Sequence, residues 1–497
     1  MNVKELEKNY QQNKDKFHRY IDDIKKTMKV DIYSIINPTI IKNPYASSFP
    51  KSFFMRNFTA RNKPILFIKS IIKFYIKNIF LLASYVIALI IYKLYYKKKR
   101  NKKIENIIDI FVLVDKVSRD KEFNESYLAG LYKVYEKYNI PYTILIRPYG
   151  INKNPFKLKF FFKIMNEDKR DLIFEYEFLN FIDFIKLLFM ISIYPFKILR
   201  LLQKENSIED KIFNKSLIYD MKYFSFESLI RYLLGKKLSK NNSIKKIYSW
   251  SEFQVIERSF NYAIRLNNNN IVLNGCQFYV MGETYFNTVV DDIDYIHKTS
   301  FHNVFVNGRY YLQDRKFVKY KEGVALRYDY LYGFKLNNDA NAIVLLGSYM
   351  KKETNFMLNT ISSLDSVIFK SHPAIDLKEL KLIPKNVTIS QNKVEDLLKK
   401  AKLVLSTESG TLLEAVACGV SVIVIASQDN LTANPLVEYG KGKIWDIAFS
   451  KNNVKKVYNK LLKYREQHMD EIKEISSWYK DNFFTESTEE KIVSIFL

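Results

Sequence analysis

Residues 403 to 426 read LVLSTESGTLLEAVACGVSVIVIA. Two short apolar runs flank a turn rich in hydroxyls and a brief amphipathic segment. This strand–turn–helix–strand order constrains the chain more than any other feature, because strands joined through a helix lie parallel. The same alternation precedes it from about residue 335. NAIVLLGS and DSVIFKSHP read as strands with loops, KETNFMLNTISSL as a helix, NVTIS as a short strand and VEDLLKKA as a helix. Such a series predicts a doubly wound α/β domain.

The pattern also occurs earlier in the chain. IIDIFVLVD, ending at Asp115, predicts a buried strand, ESYLAGLYKVYEKYN a helix and PYTILIRP a second strand. IKKIYSW, NNIVLNGCQFYV and HNVFVNGRYYL continue the series. The expected fold class is therefore α/β, with two doubly wound Rossmann-like domains in series. The expected boundaries are 1–104 for an N-terminal helical region and 105–335 for the first domain, with an amphipathic insertion at about 178–204. The second domain spans 336–480 and a C-terminal helix 481–497. A length of 497 residues suits two or three domains. Two cysteines far apart in sequence, Cys276 and Cys418, exclude a disulfide framework and fit a reducing compartment.

The net charge of +26 has a location. Between Lys51 and Ile110 fourteen Lys and Arg stand against two acids, Glu105 and Asp109. Inside this block IFLLASYVIALIIY, residues 79 to 92, carries no charge. Lys69, Lys73 and Lys77 precede it at four-residue spacing, and Lys93 and Lys97 to Arg100 follow. An apolar helix with cationic flanks predicts contact with an anionic membrane surface, and the run is short of the roughly 20 residues that span a bilayer. FLNFIDFIKLLFMISIYPFKILRLLQK, 178 to 204, gathers its charges into one narrow stripe, and Pro195 is expected to kink or split that helix. Aliphatic runs interleave the basic block where a nucleic-acid binder would expose stacking aromatics, so nucleic acid is not the expected partner. The expected location is the cytoplasmic face of the membrane, peripheral or monotopic.

Ligands of open parallel sheets bind beyond the carboxyl ends of the strands. Three loops of the second domain lie there: Gly347-Ser348, Lys370-Ser371-His372-Pro373, and Ser406 to Thr411. Ser409, Gly410 and Thr411 open a helix, whose unpaired N–H groups and partial positive charge suit a phosphate. Gly419 closes that helix. Lys370 and His372, two apart on an extended segment, are expected to point to one side. Asp291-Asp292-Ile293-Asp294 is the nearest acidic cluster and reads as a solvated turn.

FKSHP followed by STESGTLLEAVACGVSVIVI resembles the C-terminal half of GT-B glycosyltransferases, in particular bacterial surface-carbohydrate and capsule biosynthesis proteins. The K-x-H-P loop is similar to that of transferases using cytidine-nucleotide donors. Glu252, Gln254 and Glu257 in WSEFQVIERSF resemble an E-x-Q-x-x-E pattern of the surface-carbohydrate group. The resemblance covers roughly 245 to 450. It implies that His372, with Lys370, contacts the donor phosphates, that Ser409, Gly410 and Thr411 hold a phosphate, and that Glu414 binds a ribose or sugar hydroxyl; their place in the strand-end loops makes Gly347, Ser348, Pro373 and Ser406 the further donor-site candidates. With no Asp-x-Asp motif at a strand end, no cofactor or metal is expected. An inverting transfer needs a general base from the first domain; Asp115, Glu252, Glu257 and Glu283 are the candidates, Glu252 first, and the five-residue spacing of Glu252 and Glu257 is expected to let only one of them enter the cleft. The expected partners are a nucleotide-sugar donor, a lipid-linked or glycan acceptor and an anionic membrane. An alditol-phosphate transferase, a nucleotide-sugar 2-epimerase and a non-enzymatic basic membrane-binding protein are the alternatives.

Overall fold

The computed structural model describes residues 3–57, 63–98, 103–125, 127–151, 154–280, 282–337, 339–428 and 430–497. Two parallel sheets lie in series. The first comprises β1 (Asn106–Leu113), β2 (Thr143–Tyr149), β3 (Leu172–Phe174), β4 (Lys246–Trp250), β5 (Val272–Cys276), β6 (Asn303–Val306) and β7 (Lys319–Glu322), in the order β3-β2-β1-β4-β5-β6-β7. The second comprises β8 (Ala342–Leu346), β9 (Val367–Lys370), β10 (Val387–Ile389), β11 (Ala401–Ser406), β12 (Ser421–Ile425) and β13 (Trp445–Ala448), in the order β10-β9-β8-β11-β12-β13. Both are Rossmann-like orders, in which the chain reverses its direction of travel beside the first strand. The reversal opens a crevice between β1 and β4 in one sheet and between β8 and β11 in the other.

Helices cover both faces of each sheet, which is why the strands read as continuous apolar runs. Val344, Val404 and Val422 pack on one side of the second sheet, and Leu345, Leu405 and Ile423 on the other. Both cysteines are buried and free. The helix Thr411–Ala417 ends at Gly419, whose φ of 75° suits the left-handed closure expected there. The chain does not finish on the second sheet. A helix at Met469–Phe483 packs there, and the last helix, Glu489–Phe496, returns to the first domain, where Tyr248 Oη donates to the Phe496 carbonyl at 3.1 Å.

The N-terminal region is more ordered than its irregular sequence suggests. The helix Val3–Thr27 buries Tyr10, Phe17 and Ile21 against Phe49, Phe54 and Phe286. It spans the two halves, because Glu7 accepts the Thr432 N–H at 2.8 Å while Lys25 reaches Asp294 at 3.0 Å. Asp294 corrects one expectation. It does not lie in a solvated turn: it is 1% exposed and receives Arg258 through both guanidinium nitrogens as well as Lys25. Two cations from separate helices supply the compensation that a buried carboxylate requires.

The apolar block lies within one helix, Lys63–Tyr95, about 50 Å long at 1.5 Å per residue. Leu66, Phe74, Leu81, Tyr85 and Ala88 are buried along its length. Ile65, Ile68, Ile72, Ile76, Ile79 and Ile90 are each more than half exposed. The helix Phe181–Ile198 packs beside it and exposes Phe181, Ile182, Ile185 and Phe189 to a similar degree. Pro195 does not split this helix into two elements. It lies in the last turn, where its missing N–H removes one hydrogen bond close to the end.

Candidate active site

The first crevice is built at the ends of β1 and β4. Asp115 follows β1, but its side chain is 67% exposed and paired with Lys157 at 2.7 Å. Glu252 follows β4 and precedes the helix Val255–Asn267. Protein surrounds its carboxyl closely, and Gln254 lies 3.5 Å away. Burial pushes Glu252 up to about 7, and the charge of Glu257 adds to the shift. Because Glu252 stands outside the helix, the helical spacing of the two acids did not apply to them. Both are enclosed, and Glu257 lies with Arg147 and Arg231 inside the domain. Glu257→Gln removes a neighbouring negative charge, so the acid limb of any rate profile governed by Glu252 is expected to move to lower pH; a pH–rate series measures it. An unmoved limb would separate the two acids.

Glu283, the last candidate, is 64% exposed and paired with Lys14 of the N-terminal helix at 3.3 Å. It lines a chamber beside the crevice rather than the crevice itself.

The second crevice lies beyond β8 and β11, flanked by the loop after β9. Gly347 ends β8, where a Cβ would sit 3.1 Å from the His372 backbone nitrogen, so the glycine lets the two loops touch. Ser348 Oγ donates to Glu408 and accepts the Met350 N–H at 2.8 Å. Burial, with Glu353 nearby, pushes Glu408 up to about 8. Ser406 Oγ is spent on the Leu346 carbonyl at 2.9 Å and ties the two central strands together. The neighbouring Thr407 hydroxyl is buried without a protein partner. Ser409 Oγ accepts the Thr411 N–H at 3.3 Å in the turn that precedes the helix, whose N-cap position is Gly410. A Cβ on Gly410 would meet the Val280 carbonyl oxygen at 2.9 Å, so this glycine serves the approach of the two halves.

His372 Nδ1 accepts the Ala374 N–H at 3.1 Å, which leaves the ring proton on Nε2. Burial, and then the charge of Arg327, lower the affinity of this ring for a second proton. Lys370 does not join it as its spacing suggested. Its ammonium bonds the Asn392 carbonyl at 2.6 Å, because the flexible stem follows the next loop. Pro373 is exposed on the turn. The cation that acts on His372 is Arg327, from the short helical turn Leu326–Leu331. Arg327 is packed closely by protein yet open to water, which places it on a crevice wall. It lies over the Tyr127 ring at 4.7 Å and feels the charge of Glu414. Glu414 is 6% exposed and accepts the Tyr330 hydroxyl at 2.5 Å.

The two crevices face each other. Tyr349, after β8, has its ring 6.1 Å from His372 and 5.7 Å from Tyr45, and it feels the charges of both Glu408 and Glu252. The Tyr285 ring of the first domain lies 4.9 Å from that of Tyr45, tilted by 37°. Sequence reading missed Arg327, Tyr349, Tyr45 and Tyr285, which stand in no motif. Glu408 lay inside the quoted stretch, in the loop after a strand, where its position was the available signal.

No known protein family matches the chain, and no curated protein does. Solved structures similar to it include a UDP-GlcNAc 2-epimerase from Neisseria meningitidis bound to UDP-GlcNAc, at 11% identity over 78% of this chain and 98% of that one, with a TM-score of 0.44. The wall teichoic acid polymerase TagF is similar at 13% identity over 87% and 96%, with a TM-score of 0.39. The glycotransferase of kitacinnamycin is similar at 12% over 79% and 98%, with a TM-score of 0.39. At such identities these are likenesses in the course of the chain and say nothing of the reaction.

Proposed function

We propose that the chain is a GT-B glycosyltransferase moving a sugar from a nucleotide-activated donor to a membrane-linked glycan acceptor in surface-polysaccharide assembly. One observation carries the reading. A carboxyl poised near neutrality, Glu252, and the imidazole of His372 both bear on Tyr349, which feels the charge of Glu252 and has its ring 6.1 Å from His372, while Arg327 acts on His372 in turn. The acceptor hydroxyl attacks the anomeric carbon and gives its proton to Glu252. The bond from sugar to phosphate breaks, and its electron pair leaves with the nucleotide. The Nε2–H of His372 and the guanidinium of Arg327 stabilise the charge that develops there, so protein groups do the work a metal would do.

A thermal-shift panel of CMP, CDP, UDP and GDP tests the donor half. A ligand at about 100 times its Kd stabilises the fold by about 2.7 kcal/mol, and a cytidine nucleotide is expected to give the largest shift. No shift with any of the four would remove the reading. Labelled nucleotide sugar incubated without acceptor distinguishes an epimerase, which needs none.

The acceptor half includes docking on the cytoplasmic face of the membrane. The exposed isoleucines of Lys63–Tyr95 and the exposed Phe and Ile of Phe181–Ile198 support it, with exposed Lys69, Lys73, Lys93 and Lys97 beside them. The helix Lys63–Tyr95 is long and apolar enough to cross a membrane, and its packing on protein at intervals from Leu66 to Ile91 favours lying in the interface. Lys77 and Lys98 bond backbone carbonyls of the protein, and Lys99 and Arg100 lie outside the described residues. Sedimentation with anionic vesicles is expected to fall about tenfold for the double variant Ile72→Glu, Ile76→Glu. Unchanged sedimentation would contradict the docking.

A further inference from the structure

Glu252 stands in a turn that several side chains pin in place. Tyr279 Oη donates to the Ser251 carbonyl at 2.5 Å, Asn287 Nδ2 to the Glu252 carbonyl at 2.9 Å and Arg258 Nε to the Phe253 carbonyl at 3.2 Å. Phe253, between Glu252 and Gln254, takes a φ of 56°, in the left-handed region that a bulky side chain disfavours. Backbone strain of this kind persists where the surroundings over-determine it, and it concentrates at functional sites.

One contact reaches this turn from outside both sheets. Asn43, 9% exposed, lies between the helices Pro38–Ile41 and Phe49–Phe54 of the N-terminal region. Its Oδ1 accepts the Tyr45 N–H at 2.9 Å and the Ala46 N–H at 3.2 Å. A backbone N–H can only donate, so these two bonds fix which way the Asn43 amide points. Its Nδ2 then donates to Gln254 Oε1 at 2.5 Å. That bond fixes the second amide in turn, and Gln254 Nε2 faces Glu252 Oε2 at 3.5 Å. The sequence of donors and acceptors admits one arrangement, with an N–H turned toward the carboxyl. The last link is long for a hydrogen bond, and in a closed site it acts on a carboxylate electrostatically.

We propose that Asn43 and Gln254 are positioning residues for Glu252, an amide relay from the N-terminal region that orients its carboxyl and favours the ionised form that accepts a proton. The proposal rests on the reading of Glu252 as the base. It gives the N-terminal region a part in the site. The relay joins other influences on the same group. Burial and the charge of Glu257 favour the protonated carboxyl, while Gln254, Trp250 and the charge of Arg147 favour the ionised one. Tyr149, Tyr279, Tyr285 and Tyr349 feel its charge.

Two variants cut the relay and leave all of those groups in place except Gln254. Gln254→Met removes the donor with little change of size. Asn43→Asp keeps an oxygen for the Tyr45 and Ala46 N–H groups and loses the N–H that held Gln254. Gln254 then turns over, and its oxygen faces Glu252 and favours the protonated form. Carbon NMR of the full chain, labelled at the glutamate carboxyl carbons, follows the titration directly, and the Glu252 resonance is assigned by its loss in Glu252→Gln. Its midpoint is expected to rise by about 0.5–1 pH unit in each variant, the effect of one hydrogen bond on a carboxylate. In the Gln254→Met background Asn43→Asp should add markedly less than it adds to the parent, because the relay is already cut. An unmoved midpoint in Gln254→Met, or equal increments from Asn43→Asp in the two backgrounds, overturns the proposal. The acid limb of the pH–rate profile is expected to move with the midpoint. A midpoint that moves while the limb stays retains the relay and removes Glu252 as the base.

Discussion

Glu252→Gln is expected to lower turnover about 10²- to 10⁴-fold, the range lost when a general base is removed, and to leave the nucleotide thermal shift intact. The substitution keeps the shape of the side chain and removes its ability to accept a proton. In the unsubstituted protein, burial and Glu257 hold the group at about 7, so its basic form grows as pH rises through 7. The rate should climb from pH 6 and level off near pH 8, roughly one unit either side of that value. The residual rate of the variant should lack this limb. Stability moves in the opposite direction. The folded state holds a proton on Glu252 that the unfolded chain releases near 4.5, so the folded form binds more protons between about pH 4.5 and 7. Stability from this group is therefore complete below pH 4.5 and lost as pH rises through 7. The Gln variant, permanently neutral, should be more stable than the parent at pH 8.5, by on the order of 1–3 kcal/mol, and equal to it near pH 4. Urea unfolding at the two pH values measures this. A variant that keeps full turnover assigns the base elsewhere, and Asp115 and Glu283 are then the groups to replace.

His372→Ala is expected to cost about 10²–10³ in turnover, the cost of removing one preorganised donor from a developing anion. It should also reduce the nucleotide thermal shift. Alanine removes two functions together, since Nδ1 holds the Ala374 N–H and so shapes the loop. His372→Asn separates them. The amide oxygen of Asn can take the Ala374 N–H, while no donor remains at the position of Nε2. The Asn variant should therefore melt like the parent without ligand and be nearly as inactive as the Ala variant. If Asn restores activity, the histidine only shapes its loop and the anion wall rests on Arg327. Burial and Arg327 favour the neutral imidazole, so neither variant is expected to alter the limb that Glu252 produces.

Much of this was legible in the residues. Runs such as VLLGS and LVLSTESG showed where strands end, and a strand end in a parallel sheet is where a ligand binds. The place of Glu252 at a strand end was readable for the same reason, just past IKKIYSW. Lys370 was misread because periodicity gives the direction of a Cβ and not the end of a four-carbon stem. Asp294 was misread because its two cations come from residues 25 and 258, and a buried ion pair leaves no local pattern. Pro195 was misread because the cost of a proline depends on how near the helix end it falls.

The order of apolar and amphipathic segments, acting through local periodicity, determined two parallel sheets in series and the loops at their carboxyl edges. Only the tertiary structure decided which of those loops meet. Arg327, Tyr349, Tyr45 and Tyr285 reach one crevice from four distant segments, and the N-terminal helix closes a chamber over the first sheet. The physical reason is that strand and helix patterns arise from neighbours along the chain. The burial that moves Glu252 to about 7, and the pairing that draws Lys14 to Glu283, arise from neighbours in space.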